Sequence, residues 1–473
     1  SLFPIPLFSL LLLRIGITMK NQYLRSLSSS WRKLNLGSID CQIFVAVFTV
    51  AAFTALVKLT SIGKELLVAW QFGTEDELDA FLIALVIPAL VVNVVAGSLN
   101  AALMPTYIRI REQEGLKAAQ KLFASTTICS LGLLLLTTLV MVIAAPWYLR
   151  IIASGFTPEK LNLTCRLLWS IAPIVLLSGI NTIWGTILNA GEKFILVAVA
   201  PIMTPVLTIA LLLAVRDRNI YTLVGGLVGG TALESILLGI GLARQKLTLR
   251  PRWYGYNPHL RQVVRQYAPT IAGALLICSA IPVDQSMAAM LSPGSVAALN
   301  YSNRLIASPI SLIATALGTA VIPYFAKTIA QQDWRRVDVT LTRYLQAIFV
   351  TTLPLTLIMV FFSEPIVRLL LERGSFTPAD TNIVAQIQAF YALQIPFYIA
   401  NILVVKLINA LEQNQILFRV SAWNLGINIS LNYLFINWFG IQGIALSTSC
   451  VYLFSFIYTF TFVRKQLNKK IIN

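Results

Sequence analysis

Six of the charged residues inside otherwise apolar stretches of the chain stand out, and the three cations among them could bind an anion. The six are Lys58, Lys64, Glu65, Asp79, Asp284 and Arg304. A charge at the centre of a lipid bilayer costs about 2.5–3.5 kcal/mol on insertion scales, so each needs an ionic partner or a water-filled cavity. The three cations predict a cavity that binds an anionic group, and phosphate fits because arginine can hold it through two N–H groups. Structural ion pairs, or side chains that reach the membrane surface from helix ends, are the alternative explanation for each residue.

A second group of polar residues falls on one face of a predicted helix, at a spacing of four. Asn424, Asn428 and Asn432 could supply oxygen ligands to a cation, or could hydrogen-bond to neighbouring helices. The single histidine, His259, has no carboxylate or cysteine near it in sequence, and the five cysteines show no CxxC spacing. Histidine-based catalysis and zinc chemistry therefore have little support.

Composition identifies the kind of element that carries these residues. Of the 473 residues, 57% are hydrophobic and only 12% are charged, whereas a soluble domain has about 25% charged residues. The chain is therefore predicted to be an all-α polytopic membrane protein. Its net charge of +17 reflects basic connections between helices, so we expect no nucleic acid partner.

Apolar stretches between charge clusters predict about twelve transmembrane helices. They cover residues 41–70, 79–108, 122–149, 162–190, 194–215, 220–243, 266–291, 296–325, 341–363, 381–411, 417–437 and 441–463. An even number places both termini on one side, and the basic residues concentrate in the connections of that side. The positive-inside rule then predicts that both termini lie in the cytoplasm.

An internal repeat divides the chain into two halves. Residues 156–158 (Phe-Thr-Pro) recur at 376–378, and Asn189-Ala190 recurs at 409–410, both at an offset of 220 (376 − 156 and 409 − 189). Six helices separate the copies, so the halves are predicted to be parallel six-helix lobes around a central cavity. The predicted segments are an N-terminal segment 1–40 that is cytoplasmic from about Met19, an N-lobe 41–243, a basic cytoplasmic linker 244–265, a C-lobe 266–463 and a basic cytoplasmic tail 464–473.

The first two spans carry a specific pattern of residues. It comprises Lys58, Lys64-Glu65, Phe72-Gly73, Asp79-Ala80-Phe81, Pro88 and Pro105, and Asn300 to Leu305 with Ala316 to Thr319 extend it in the eighth span. With these residues the chain resembles the MurJ (MviN) lipid II flippases of the MOP exporter superfamily, to which the MATE transporters belong. Lys58 and Lys64 stand where that family has arginines, and Asn93 lies where it has a further arginine.

The resemblance implies roles for particular residues. Substrate-binding cations would be Lys58, Lys64 and Arg304, with Glu65, Asp79 and Asn303 as supporting acidic or polar residues. A sodium site that couples transport to an ion gradient would use Asp284, Asn424 and Asn428. The driving force would be a Na⁺ or H⁺ gradient or the membrane potential, with no cofactor and no other metal.

The function predicted is that of a flippase, not an enzyme. It would move a polyprenyl-diphosphate-linked saccharide, with lipid II as the leading substrate, from the cytoplasmic to the outer leaflet by alternating access. Its partners would be this lipid-linked oligosaccharide, membrane lipids and the machinery of cell-wall or polysaccharide synthesis. A Wzx-like exporter of a polysaccharide repeat unit remains an alternative, and a MATE-like drug or cation antiporter is a more distant one.

Overall fold

A computed structural model describes residues 39–215, 219–245, 253–255 and 258–472. The regular elements of this part of the chain are helical throughout. The predicted N-terminal segment up to residue 38, the start at Met19, and residues 246–252 and 256–257 of the predicted linker lie outside the described residues. Residues up to Leu56 belong to a first compact unit, and residues from Val57 onward form the second, which contains the functional region.

Twelve helical spans, numbered here in chain order, run through the described residues, and each corresponds to one predicted span. They are α1 (Ile39–Phe72), α2 (Asp76–Glu114), α3 (Leu116–Ile152), α4 (Pro158–Ala190), α5 (Phe194–Ala214), α6 (Tyr221–Arg244), α7 (Pro258–Ala289), α8 (Ser295–Ala330), α9 (Trp334–Phe361), α10 (Pro378–Ala392 with Ile395–Ala410), α11 (Gln415–Phe439) and α12 (Gln442–Ile472). The prediction of an all-α polytopic membrane protein with about twelve helices is confirmed.

Eight of these helices are long and apolar enough to cross a membrane on length and composition alone, and α10, bent by 41°, makes a ninth. The other three are α1, α8 and α11, which carry the lysines, the arginine and the asparagines singled out above.

Three helices extend furthest beyond their predicted limits, by seven or more residues at one end. Helix α7 begins at Pro258, so residues 258–265 of the predicted linker are its first turns, as proline at the first helical position favours. Helix α9 begins at Trp334 after Asp333, whose side chain accepts from the Arg336 N–H. Helix α12 continues through the predicted tail to Ile472. A short helix, Ser363–Leu371, was not predicted and precedes α10.

The predicted repeat has a structural counterpart at both ends of α4 and α10. Thr157 caps α4 and Thr377 caps α10, each ahead of a proline at the first helical position. Each helix is followed by a glutamate in the left-handed region, Glu192 at φ 60° and Glu412 at φ 59°. An L-residue adopts this conformation uncommonly, so the identical turns at an offset of 220 (412 − 192) show that one supersecondary unit occurs twice.

The two lobes have the same orientation, because the connections that follow equivalent helices of the two lobes lie on one face of the molecule. The connections after α1, α3, α7 and α9 meet there: Gly294 contacts Asp79, and Ser375 donates its N–H to Trp70 O at 2.9 Å. We call it the Asp79 face. The connections after α2 and α8 lie at the other ends of these helices, on what we call the Arg109 face.

Helix α2 changes its winding halfway along. After Pro88 it forms a five-residue π-turn, Val92–Ala96, a feature that is frequent at functional sites. The Tyr267 hydroxyl of α7 donates to Val95 O at 2.9 Å. A buried apolar cluster that includes Leu103, Leu122 and Leu260 joins the second half of α2 to α3 and to the first turns of α7. The start of α7 therefore packs on the N-lobe.

Candidate functional site

A cavity of about 310 Å³ lies beside the last third of α1 and the first third of α8. Apolar side chains of α1, α2, α4, α5, α6 and α8 form most of its wall. Its charged lining residues are Lys64, Glu65 and Arg304, which carry a formal charge of +1. Two of the three predicted substrate-binding cations are thus brought together from different lobes.

Glu65 is the ionic partner of both cations. Its Oε1 lies 2.6 Å from Lys64 Nζ and accepts from Arg304 Nη1. The exposed fractions of the side chains rise from 18% for Glu65 and 22% for Lys64 to 47% for Arg304. The carboxylate is enclosed while the guanidinium faces open space, so Arg304 retains N–H donors that an anion in the cavity can use.

Three further predicted or related residues differ in their position. Asn93, on the π-turn of α2, lines the cavity together with Asn300. Lys58 is half-buried and Asn303 is exposed, and neither is among the lining residues in the described part of the chain. Their substrate-binding and supporting roles stay predictions, whereas Asn93 supplies an amide at the site where the related family has an arginine.

Asp79, predicted as a supporting acidic residue, lies at the Asp79 face and joins the lobes. It is 1% exposed. Its Oδ1 accepts the Ala297 N–H and its Oδ2 the Gly294 N–H, both at 2.8 Å. These groups open α8, and the N-terminus of a helix favours a negative charge. The other partner is Lys160, whose Nζ lies 3.1 Å from Asp79 Oδ2 and 2.5 Å from Asp76 Oδ1.

We call Asp79, Lys160 and the N–H groups of Gly294 and Ala297 the latch. The latch adjoins the cavity, because Ala297 also belongs to the cavity lining. So does Tyr301, whose buried hydroxyl donates to Gly73 O at 3.0 Å. The latch and the Tyr301–Gly73 hydrogen bond therefore join the lobes next to the cavity, on the side of the Asp79 face.

The backbone conformation at Gly294 means that the latch requires a glycine at this position. Gly294 has a φ of +83°, and a Cβ there would lie 2.5 Å from Thr74 O. Only glycine adopts this conformation at low cost, and the close approach leaves no room for a side chain. Thr74 also donates its hydroxyl to Asp380 of α10, which adds a further contact between the lobes.

A separate polar cluster lies in the C-lobe around Asp284, which is 8% exposed. Asn428 and Asn432 of α11 donate to Asp284 Oδ1 at 3.0 and 2.7 Å, and Thr448 of α12 donates to Oδ2 at 3.3 Å. Asn432 Oδ1 is buried without a hydrogen-bond partner among the described residues. Carboxylate, amide and hydroxyl oxygens are ligands that suit a hard cation such as Na⁺, so these residues fit the predicted ion site.

Asn424, the third predicted cation ligand, belongs to a neighbouring network instead. Its amide donates to Ser455 Oγ at 3.2 Å, and Asn401 donates to the same oxygen at 3.2 Å. The structure therefore groups Asp284 with Asn428, Asn432 and Thr448, and it leaves Asn424 slightly more than two turns of α11 away from Asn432.

Sequence reasoning missed Lys160 as a functional residue and treated it only as part of a loop. The repeat contains a signal for it, because Lys160 is equivalent to Asp380 at the offset of 220 (380 − 160). Lys64 and Asp284 show the same relation, with opposite charges at equivalent positions. Lys160 pairs with Asp76 and Asp79 within the N-lobe, whereas Asp380 accepts from Thr74 of the other lobe.

Comparison with known proteins agrees with this geometry. The family described as lipid II flippase MurJ matches residues 68–473. A probable lipid II flippase MurJ of Synechocystis sp. is 27% identical over 421 residues, which are 86% of this chain and 78% of the relative. A lipid II flippase MurJ of Burkholderia cenocepacia is 25% identical over 420 residues, which are 86% of this chain and 80% of the relative.

Solved structures share the fold. A lipid II flippase MurJ in an inward closed conformation superposes with a TM-score of 0.76 and 22% identity, and the match covers 89% of each chain. An inward-facing multidrug resistance MATE family transporter of the MOP superfamily gives a TM-score of 0.73 at 12% identity, over 90% of this chain and 99% of the other. The two-lobed architecture inferred from the repeat is therefore the one seen in these transporters.

Proposed function

This chain belongs to the lipid II flippase MurJ family, and we propose that it moves lipid II across the membrane through the cavity lined by Lys64, Glu65 and Arg304. The family match over residues 68–473 supports lipid II as the substrate. The observation that carries the mechanism is the Glu65–Arg304 pair, which joins the two lobes inside the cavity. The protein acts as a transporter, and the lipid-linked oligosaccharide and membrane lipids are its partners.

Substrate binding uses the open side of Arg304. A diphosphate that enters the cavity accepts charge-assisted hydrogen bonds from the guanidinium and from the Lys64 ammonium, which already face that space. Hydrogen bonds to charged groups contribute about 1.5–3 kcal/mol each. Glu65 keeps both cations in position and limits the net positive charge, so the anion can also leave.

Alternating access requires the latch to open. In the described state the latch joins the lobes on the side of the Asp79 face, and substrate enters from the other side. Release needs the N–H groups of Gly294 and Ala297 to separate from Asp79, so that the lobes part at this face. In the empty cavity Glu65 alone bridges Lys64 and Arg304. A bound diphosphate adds negative charge between these two cations, and this changes the electrostatic attraction between the lobes.

We assign the Asp79 face to the outer side of the bacterial inner membrane. The assignment rests on charge: the opposite face carries the exposed basic residues Arg109, Lys117, Arg261 and Arg335, as the positive-inside rule expects for the cytoplasm. Both termini are then cytoplasmic. Lipid II enters from the cytoplasmic leaflet and leaves to the outer leaflet.

Ion coupling is assigned to the Asp284 cluster. A bound Na⁺ would be held by Asp284, Asn428, Asn432 and Thr448, all of which supply oxygen atoms within one buried cluster. The cation would supply charge that draws α7, α11 and α12 together. A proton gradient or the membrane potential stays an alternative driving force, and association with cell-wall synthesis machinery stays a prediction.

Two other substrate classes were open from the sequence. The relatives reported above are lipid II flippases, which favours lipid II over the repeat unit of a Wzx-like exporter. The MATE neighbour shares the fold alone at 12% identity. The cationic cavity also argues against a drug or cation antiporter, because like charges repel a cationic substrate.

Complementation tests the proposal. The chain is expressed in a bacterium whose own lipid II flippase can be depleted, and growth and lipid II accumulation are followed. Rescue by the wild-type chain is expected. If the chain is present in the membrane and lipid II still accumulates in the inner leaflet, the assignment of lipid II is wrong.

A further inference from the structure

A second cavity, of about 220 Å³, lies apart from the substrate cavity, between α2, α3 and α7. Its wall is apolar and includes Leu99, Leu133, Leu134, Leu260 and Val263. An engineered apolar cavity of about 150 Å³ takes up benzene, so this one has room for a segment of hydrocarbon chain. The mechanism described above does not use it.

The mouth of this cavity lies on the outer surface of a transmembrane helix pair. Cys129 and Val264 belong to its lining and are exposed. Both lie within helices α3 and α7, which are long and apolar enough to cross the membrane. Cys129 lies more than three turns into α3, so a mouth at this depth gives a lipid chain access from the side.

Along α3 a charged, a polar and an apolar residue follow one another, in the same order as the headgroup, the ester and the acyl chain of a phospholipid. Lys121 is exposed near the start of the helix, Thr126 follows about 7.5 Å deeper, and Leu133 a further 10.5 Å or so. The Thr126 side chain is 1% exposed, lines the cavity, and its hydroxyl has no hydrogen-bond partner among the described residues. An ester carbonyl would satisfy this donor.

Helix α7 supplies the positive charge at the same end. Arg261 and Arg265 are exposed, lie four residues apart on one helix face, and alternate with the lining residues Leu260, Val263 and Val264. Both arginines are in the first two turns of α7, where long basic side chains reach the membrane surface. An anionic headgroup fits this pair, and a zwitterionic one gains less.

The adjoining segment places aromatic side chains at the same level. The Tyr254 N–H donates to Ser125 Oγ at 3.4 Å, next to Thr126. Trp253 and Tyr254 are 53% and 45% exposed, and these residue types concentrate where the membrane meets water. They mark the rim of the cavity as the interfacial zone.

We propose that this cavity binds an anionic phospholipid of the surrounding leaflet, with one acyl chain between α2, α3 and α7, an ester carbonyl at Thr126, and the phosphate at Arg261 and Arg265. The site is distinct from the substrate cavity and lies on the opposite side of the α2 π-turn, since Val92 and Asn93 line the substrate cavity while Val95 and Ala96 line this one.

Native mass spectrometry of the purified chain, released from nanodiscs of phosphatidylglycerol and phosphatidylcholine in equal amounts, tests the proposal. Retention of phosphatidylglycerol is expected to exceed that of phosphatidylcholine at least tenfold. Arg261→Gln with Arg265→Gln should reduce it to the level of phosphatidylcholine. The matched control, Arg335→Gln with Arg336→Gln, removes two exposed arginines of α9 and should change nothing.

A second pair of variants tests the chain pocket. Cys129→Phe blocks the mouth and should reduce retention of both phospholipids, whereas Val350→Phe, at a residue of α9 that is 71% exposed, should not. If Cys129→Phe fails to fold, the arginine variants decide alone. Equal retention of the two lipids by the wild type, or unchanged retention after loss of both arginines, overturns the proposal. Displacement of phosphatidylglycerol by undecaprenyl phosphate would also overturn it and assign the pocket to a polyprenyl chain.

Discussion

Asp79 and Glu65 are both carboxylates that join the two lobes, yet their surroundings differ. Asp79 is 1% exposed and accepts two backbone N–H groups at the start of α8 as well as the Lys160 ammonium. Glu65 is 18% exposed and is bound to two side chains, of which Arg304 is 47% exposed to the cavity. One contact is fixed by the backbone, and the other can be shared with a ligand.

This difference indicates which of the two contacts between the lobes a diphosphate can engage. A buried carboxylate that accepts from backbone N–H groups cannot exchange them for substrate without moving a whole helix. A guanidinium with open N–H groups can bind an anion while it keeps its internal partner. We therefore expect Arg304 to determine substrate binding and Asp79 to determine which face of the cavity is closed.

Loss of Arg304 should have the largest effect. Arg304→Ala removes the open donors and leaves Glu65 with Lys64 alone, so transport should fall by tenfold to hundredfold, about the value of one or two charge-assisted hydrogen bonds. Growth and lipid II accumulation in the depletion strain measure it. Arg368→Ala removes an arginine that pairs with Glu364 outside the cavity and is the matched control. Full rescue by Arg304→Ala would contradict a role for the cavity in binding.

Loss of the latch should come next and should affect access. Asp79→Ala leaves Lys160 with Asp76 alone and frees two N–H groups, a change that costs about 3–5 kcal/mol for a buried charge pair. The cavity should then open toward the Asp79 face. Labelling of Asn300→Cys by a membrane-impermeant maleimide, added from outside, should rise severalfold.

Two variants sharpen the test of the latch. Gly294→Ala should reproduce the increase, because a Cβ at φ +83° meets Thr74 O. Glu364→Ala breaks an exposed ion pair with Arg368 and should leave labelling unchanged, since such pairs contribute little. Equal labelling of Asn300→Cys in the Asp79→Ala and Glu364→Ala backgrounds would argue against the latch.

A smaller effect is expected in the ion site. Asp284→Asn keeps the size of the side chain but removes its charge, so the dependence of transport on the Na⁺ gradient should fall about tenfold. Asn432→Ala should reduce this Na⁺ dependence more than Asn424→Ala, because Asn432 donates to Asp284 whereas Asn424 donates to Ser455. Transport at several Na⁺ gradients measures both. If Asn424→Ala reduced the Na⁺ dependence more than Asn432→Ala, Asn424 and not Asn432 would be the cation ligand.

The smallest effects are expected at Lys58 and Asn303. Neither residue lines the cavity within the described chain, so Lys58→Ala and Asn303→Ala should each change complementation by less than about threefold. A loss as large as that of Arg304→Ala would show that the cavity extends to these residues in another state.

Sequence alone predicted the helices and the repeat well because both depend on local patterns. Apolar stretches of sufficient length, Thr157 and Thr377 at helix starts, and the 220-residue offset are all visible without a structure. The ends of α7 and α12 were misjudged because Pro258 begins a helix of mixed polarity and because Arg464 is held by Asp338 at 2.5 Å, a partner 126 residues away.

The site was predicted in part for the same reason. Lys64 and Glu65 are neighbours in sequence, and the resemblance supplied Arg304. The latch depends on Lys160 and on two backbone N–H groups more than 200 residues from Asp79, and no local pattern reports such contacts. Asn432 entered only as one of three equally spaced asparagines, since spacing does not tell which of them meets Asp284.

Binding of lipid II to the purified chain, compared between Arg304→Gln and Asp79→Asn by native mass spectrometry, tests the central claim most directly. Arg304→Gln should lower retention of lipid II at least tenfold, because it removes a charged donor from the cavity. Asp79→Asn should leave retention within about twofold of the wild type, because the latch does not contact the substrate. Wild-type retention by Arg304→Gln, or an equal loss in both variants, would contradict the division of roles between the cavity and the latch.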